Sequence, residues 1–374
     1  MKKGLFTLIV FFLCFGIEAC SEQGEGKKIT QIEISSDKRT FSINTPLNYH
    51  KEEYKFSLLP GEYLDEAVIK NETIYFESGN YTNDGTVIKT TISKKEKNST
   101  EILYTEARED GGQIEVNELK LAGNKLFWVY SDSEEMTIKA YDLLKNESQI
   151  IETYPAEKVA VLILESDERF LTWYVVPQEG KPSLYVFDTE DNKVKCLSNN
   201  IGYDNPYTRA YVLEGITSYI ENYDEQRKKI TLYDLENDQE IRSYVLPEKF
   251  KMTAVQANRE YVIIREGYEN TGLYILDAKT NKLQEIDYSI HAGINPFSWH
   301  LLGNKVFINS KGRDSYNDEL VVLSLEDSTL SWIYLDQSVV GGKVMEPNQY
   351  TAKYSCVGEG NQVTENIELF LFDE

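Results

Sequence analysis

The sequence predicts an all-β fold: a β-propeller of seven four-stranded blades, its ring closed by an N-terminal strand pairing with the C-terminal blade. Three observations carry this expectation. A strand-and-turn pattern recurs every 43–49 residues, the period of an architecture built from stacked repeats. Two further strand-like stretches fit between successive copies, giving the four short strands of one propeller blade. Strand formers abound, with 26 tyrosines and 12% aromatic residues, and no useful helical periodicity follows Cys20. If one end is misassigned, the count becomes six or eight.

Residues 1–19 read as a targeting signal. Lys2 and Lys3 precede an apolar run from Leu5 to Ile17. The run is shorter than the ~20 residues needed to span a bilayer, but it suits the core of a signal peptide. It ends in Ile17-Glu18-Ala19-Cys20, which resembles the bacterial lipobox. The resemblance implies that Cys20 is acylated and becomes the mature N-terminus. The protein would then sit in the cell envelope, anchored to the lipid bilayer through Cys20 and facing outside the cytoplasm. Several acyl chains anchor far more durably than one, at ~0.8 kcal/mol per buried methylene. The alternative is an ordinary secretory signal that ends at a chance cysteine. Residues 20–50 continue with Ser-Glu-Gln-Gly-Glu-Gly-Lys-Lys and read as a polar tether, leaving residues 51–374 for the propeller.

The repeat is clearest in the third strand of each blade. These strands run through 86–94, 137–147, 183–193, 230–239, 272–282, 319–329 and 367–374. They close on Ser93, Asp142, Asp188, Asp234, Asp277, Ser324 and Asp373. Val159–Glu165 with Phe170–Val176, and Lys251–Gln256 with Tyr261–Arg265, supply first and second strands. The chain stops at Glu374 on a third strand, and residues 52–59 resemble the fourth strand that begins at Glu240. Residues 52–59 are therefore expected to complete the last blade and to remove an exposed sheet edge.

The segments YDLEND at 233–238, FDTEDN at 187–192 and LDAKTN at 276–281 resemble bacterial TolB-like and WD-like propeller repeats, and the resemblance covers about 52–374. It implies a fold and little about activity, because one scaffold hosts many functions. The sequence departs from true WD repeats in lacking a Gly-His…Trp-Asp pair. It departs from sialidases in lacking the Ser-x-Asp-x-Gly-x-x-x-Trp box.

Catalytic and metal motifs are thin. Asp188, Glu190 and Asn192 alternate as in a calcium loop, but Lys193 stands where that loop needs glycine and Asn199 where it needs glutamate. A hairpin turn capped by Asp and Asn side chains is the better reading. His291 and His300 lack an assignable third ligand, and His300 falls in an expected first strand. Gly-x-Ser-x-Gly is absent, and seven blades leave no room for a hydrolase domain. Cys196 and Cys356 fall in different blades, too far apart for a disulfide that needs Cα atoms within ~7 Å; two buried thiols are expected. No catalytic residue, metal or cofactor is assigned.

A binding face is expected where second-to-third loops and blade-to-blade loops open together. The former carry Tyr81, Tyr223, Tyr268 and Tyr316, the latter Tyr203, Tyr207 and His291. Arg313 and Arg227 could meet an anionic ligand, or this protein's own acids. Tyrosine offers large contact area with a polar tip. The net charge of −23 argues against nucleic acid and anionic membrane surfaces as partners. The sequence thus favours a monomeric, membrane-anchored interaction module for a protein, peptide or glycan. A propeller glycan lyase or hydrolase with carboxylates dispersed over blades, and a structural component of an envelope complex, are the alternatives.

Overall fold

The computed structural model describes residues 29–44, 47–58, 62–81, 86–96, 99–108, 110, 112–202, 209–248, 250, 252–267, 272–277, 280–287, 296–311, 318–335, 343–346, 349–357 and 363–372. The fold is all-β. Among the described residues the strands form seven sheets, each with four antiparallel strands hydrogen-bonded in one order. The first holds Glu62–Lys70, Thr73–Tyr81, Val87–Glu96 and Ser99–Ala107. The second holds Glu115–Ala122, Lys125–Ser131, Glu135–Asp142 and Glu147–Pro155. Val159–Ser166, Phe170–Pro177, Ser183–Asp188 and Lys193–Ser198 make the third. The fourth consists of Val212–Leu213, Ile216–Asn222, Lys228–Asp234 and Gln239–Val245. Met252–Ala257, Val262–Glu266, Gly272–Asp277 and Lys282–Asp287 make the fifth, and Pro296–Leu302, Lys305–Lys311, Asp318–Ser324 and Thr329–Tyr334 the sixth. The seventh takes Lys343–Glu346, Gln349–Val357 and Val363–Phe372 from one end of the chain. Its fourth strand, Tyr49–Leu58, comes from the other, with Tyr54 opposite Ile367.

Among the described residues, side chains of successive sheets pack face to face. Val68 and Ile92 of the first sheet pack with Leu126 and Trp128 of the second, whose Phe127 and Ile138 pack with Leu162 and Leu171 of the third. Tyr174 and Leu184 meet Tyr219 of the fourth sheet, and Ile230 there meets Val255 of the fifth. Ile263 packs with Trp299 of the sixth sheet, and Phe307 with Phe370 of the seventh. Tyr54 and Ile367 of the seventh sheet then pack with Leu64 and Phe76 of the first. Strands buried on both faces read as near-continuous apolar runs, such as Phe170–Pro177, while fourth strands such as Glu147–Pro155 stay open to solvent.

The repeated turn has a common chemistry. Asp142 Oδ1 accepts the N–H groups of Leu144 and Lys145, Asp188 Oδ1 those of Glu190 and Asp191, and Asp234 Oδ1 those of Glu236 and Asn237. Four residues on, Asn146, Asn192, Asp238 and Asn281 adopt φ values of 53–56°, a region that Asn and Asp tolerate better than other non-glycine residues. Arg169 also grips Asp188 with hydrogen bonds of 3.1 and 2.6 Å. Of the three residues that suggested a calcium loop, Asp188 thus caps a hairpin turn, Glu190 pairs with Arg169, and Asn192 Oδ1 accepts from Lys125.

Residues 29–44 differ from the expected tether. Ile29–Gln31 pairs in parallel with the outer strand of the fourth sheet, Glu33–Ile34 and Arg39–Thr40 with that of the fifth, and Ser42–Ile43 with that of the sixth. The physical reason is a series of single apolar side chains. Ile32 is buried in the core between the fourth and fifth sheets, Phe41 in that between the fifth and sixth, and Leu47 packs where the sixth meets the seventh. His50 lies in Tyr49–Leu58 opposite Leu371.

Cys196 also departs from expectation. It forms no disulfide, but it is half-buried, because it lies on the outer strand of the third sheet. Cys356 lies in Gln349–Val357 of the seventh sheet.

Candidate functional site

Of the expected face, the structure describes Tyr223 fully and Tyr81 by its backbone. Tyr81 ends the second strand of the first sheet opposite Val87. Cys20, Tyr203, Tyr207, Tyr268, His291, Arg313 and Tyr316 lie outside the described residues.

Tyr223 sits between the second and third strands of the fourth sheet. Asp224 Oδ1 accepts the N–H groups of Gln226 and Arg227 at 2.9 and 2.7 Å, which tightens the turn. Asp224 Oδ2 accepts from Arg227 Nε at 2.7 Å, and this holds the guanidinium 5.0 Å from the centre of the Tyr223 ring. The contact keeps the Asp224 carboxyl below its usual range and raises the Arg227 guanidinium. The result is an ordered, exposed aromatic platform with a cation on one face.

The chain entering from the third sheet is tied to the base of this loop. Asn200 Nδ2 donates to Asn222 O at 2.9 Å, Asn222 Nδ2 donates to Ile201 O at 3.3 Å, and Lys181 Nζ from the third sheet donates to Asn200 Oδ1 at 2.8 Å. Gly202 is required there, since a Cβ would lie 2.5 Å from the Asn222 nitrogen. Second-to-third and sheet-to-sheet loops therefore share one face at the third and fourth sheets.

A second cluster joins the first strands and was not anticipated. Glu118 has φ 59° at a bulge in Glu115–Ala122, and bulges of this kind re-aim side chains. Its two carboxylate oxygens each accept an Arg209 hydrogen bond of 2.8 Å. Arg209 also donates to Glu165 Oε1 at 3.0 Å and Leu164 O at 3.1 Å. Lys120 lies 3.3 Å from Glu118 and 3.8 Å from Glu66. The line of contacts continues through Tyr211, whose ring stands edge-on to His300 at 6.3 Å, and through Gln256, which bonds Trp299 O and Leu301 N.

Electrostatically the cluster sets two cations, Lys120 and Arg209, against the carboxylates of Glu66, Glu118 and Glu165. Burial pushes the Glu118 carboxyl up, but Lys120 and Arg209 outweigh it and hold the group below its usual range. Burial pulls Lys120 down, and Glu66, Glu118 and Glu165 more than restore it. Burial pushes the Tyr211 hydroxyl up to about 12. Three carboxylates from three sheets do converge, yet Glu118 is kept ionised, the opposite of what a general acid requires. The sequence signal was present as charged residues embedded in apolar first strands (Glu118 and Lys120 in NELKLA, Glu165 in LILE), but nothing in the sequence paired them.

The chain is similar to solved structures, a β-propeller domain among them. Acylaminoacyl peptidase matches with a TM-score of 0.55 at 12% identity, over 83% of this chain and 51% of that one. A prolyl endopeptidase matches with a TM-score of 0.53 at 9% identity, over 78% and 46%. The β-propeller domain of the Trilobed protease from Pyrococcus furiosus, which has an open velcro topology, matches with 0.51 at 15% identity, over 80% and 90%. This chain spans about half the length of the two peptidases. No protein-family model matches, and no curated protein matches. At these identities the likeness shows the fold, which is a β-propeller.

Proposed function

We propose that the chain is a seven-bladed propeller, lipid-anchored at Cys20 outside the cytoplasm, that binds a protein, peptide or glycan through the face bearing Tyr223. The carrying observation is the Tyr223–Arg227–Asp224 arrangement, an exposed ring whose orientation is fixed before any ligand arrives; pre-organisation of this kind lowers the entropic cost of binding. Tyr81, Tyr203, Tyr207, Tyr268, His291, Arg313 and Tyr316 are proposed to extend that face. Support for the ring comes from the seven sheets, the strand Tyr49–Leu58 shared between the chain ends, and the packing of the seventh sheet on the first.

The competing reading, a glycan-cleaving enzyme, draws on the convergence of Glu66, Glu118 and Glu165. Their ion pairs with Lys120 and Arg209 speak against it. The face is tested by affinity capture from detergent-solubilised envelopes, comparing wild type with a variant in which Tyr81, Tyr223, Tyr268 and Tyr316 are alanine. Loss of captured partners is expected; an unchanged set refutes the face. Cys20→Ala is expected to move the protein to the soluble fraction, and unchanged membrane retention refutes lipidation.

A further inference from the structure

The outer edges of the sheets are not covered alike. Residues 29–44 add strands to the fourth, fifth and sixth sheets. Among the described residues nothing pairs with the outer edges of the third and seventh sheets, Lys193–Ser198 and Tyr49–Leu58, or with the outer strands of the first and second, Ser99–Ala107 and Glu147–Pro155. At nine residues each, the last two are longer than the covered outer strands, which have seven, six and six. A long open edge presents a row of N–H and C=O groups on which another strand can form.

The side chains point the same way. Among the described residues the most exposed large apolar side chains are Leu144 at 75%, Ile150 at 65% and Ile102 at 62%. All three lie on these two strands or on the turn leading into one. The cores beneath also end differently. Ile32 and Phe41 close those between the fourth, fifth and sixth sheets. Between the second and third sheets the core ends instead in half-buried Ile151 and Tyr154, and between the first and second in Leu103 and Leu143.

We propose that Glu147–Pro155 is a docking edge on which an extended segment of a partner protein forms a fifth, parallel strand. The segment carries branched aliphatic side chains beside lysine or arginine. Its chemistry follows from the segment that already occupies the edges of the fourth, fifth and sixth sheets. There, Ile29, Ile32 and Ile34 supply the apolar side chains, Lys38 Nζ bonds Glu285 at 2.7 Å, and Arg39 donates to Leu325 O and Ser328 Oγ at 3.2 and 2.7 Å. The open edge offers matching groups in Ile150, Glu147 and Glu152. A second copy of this chain is disfavoured as occupant, since it would bring a charge of −23 onto an equally acidic body. Strand addition of this kind takes affinity from main-chain hydrogen bonds and specificity from alternate side chains.

The test uses a synthetic peptide of residues 29–44, ITQIEISSDKRTFSIN, added to the folded full-length protein. Fluorescence anisotropy reads binding and amide hydrogen exchange reads the site. Saturable binding is expected, with exchange slowed over 144–155. Ile150→Lys and Ile150→Pro, the latter removing a backbone donor, are each expected to weaken binding roughly tenfold. A peptide with Lys38 and Arg39 replaced by glutamate is expected to weaken it similarly. Should Ile150→Pro lower the thermal midpoint, Ile150→Lys carries the comparison, because its side chain is already in water. The proposal is overturned by absence of saturable binding, or by affinity unchanged in both variants. It is also overturned by protection confined to 239–245, 282–287 and 329–334, which would mean exchange with the resident segment. A concentration-dependent dimer already protected over 147–155 would assign the edge to a second copy and likewise overturn it.

Discussion

Glu118 and Arg209, 91 residues apart in the chain, meet through two parallel hydrogen bonds of 2.8 Å. The fork ties the first strand of the second sheet to the entry of the fourth, and Glu165 of the third sheet joins the same guanidinium. Removing Arg209 takes the fork from Glu118 and a donor from Glu165, and leaves Lys120 as the remaining cation beside Glu118. Arg209→Ala is expected to destabilise the fold by about 3 kcal/mol, and Arg209→Lys by less because the charge survives while the fork is lost. Urea unfolding midpoints check both.

Glu118, held by Lys120 and Arg209 together, also makes stability depend on pH. The Glu118 carboxyl lies below its ordinary value of 4.5 in the folded state, so the unfolded chain takes up the proton first. The stabilisation is complete well above 4.5 and is lost as the pH falls from there through the folded-state value. Glu118→Gln is expected to melt lower than wild type at neutral pH, with the gap narrowing on acidification. A gap that stayed constant would contradict the assignment.

The edge-covering segment is expected to contribute real stability. Phe41→Ala is expected to cost about 3 kcal/mol, and Ile32→Ala about 2–4 kcal/mol, as for other core truncations. Were residues 29–44 a loose tether, both substitutions would be silent in chemical denaturation.

The hairpin turns give a backbone test. Asn192 sits at φ 56°, so Asn192→Val is expected to destabilise by about 1–2 kcal/mol, while Asn192→Gly is nearly neutral. Thermal midpoints of the two variants separate the conformational cost from loss of the side chain.

The contrast between these features explains what was legible in the sequence. Third strands were readable because those of the second to sixth sheets end in Asp or Ser with an αL residue four positions on, as with Asp188 and Asn192, whereas that of the first runs past Ser93 to Glu96. The strand Tyr49–Leu58 was readable by its likeness to the stretch after Glu240. The edge-covering segment was not, because strands of two or three residues held by single side chains such as Ile32 and Phe41 have no period. The Glu118–Arg209 pair was hidden by its separation along the chain and by a bulge that turns Glu118 out of the alternation. Tyr223 could be placed on its loop from sequence, but its stacking on Arg227 depends on how Asp224 closes the turn.

The pairing of Ile29–Gln31 with the fourth sheet shortens a leash. Residues 20–50 read as a tether could reach roughly 100 Å when fully extended. With Ile29 stitched down, residues 21–28 are what separates Cys20 from the domain, a reach of at most about 30 Å. A lipid on Cys20 would then hold the protein within about one domain diameter of the bilayer, with the fourth sheet nearest. The domain could swing but not roll freely, so the membrane would select which of its rims a partner can approach.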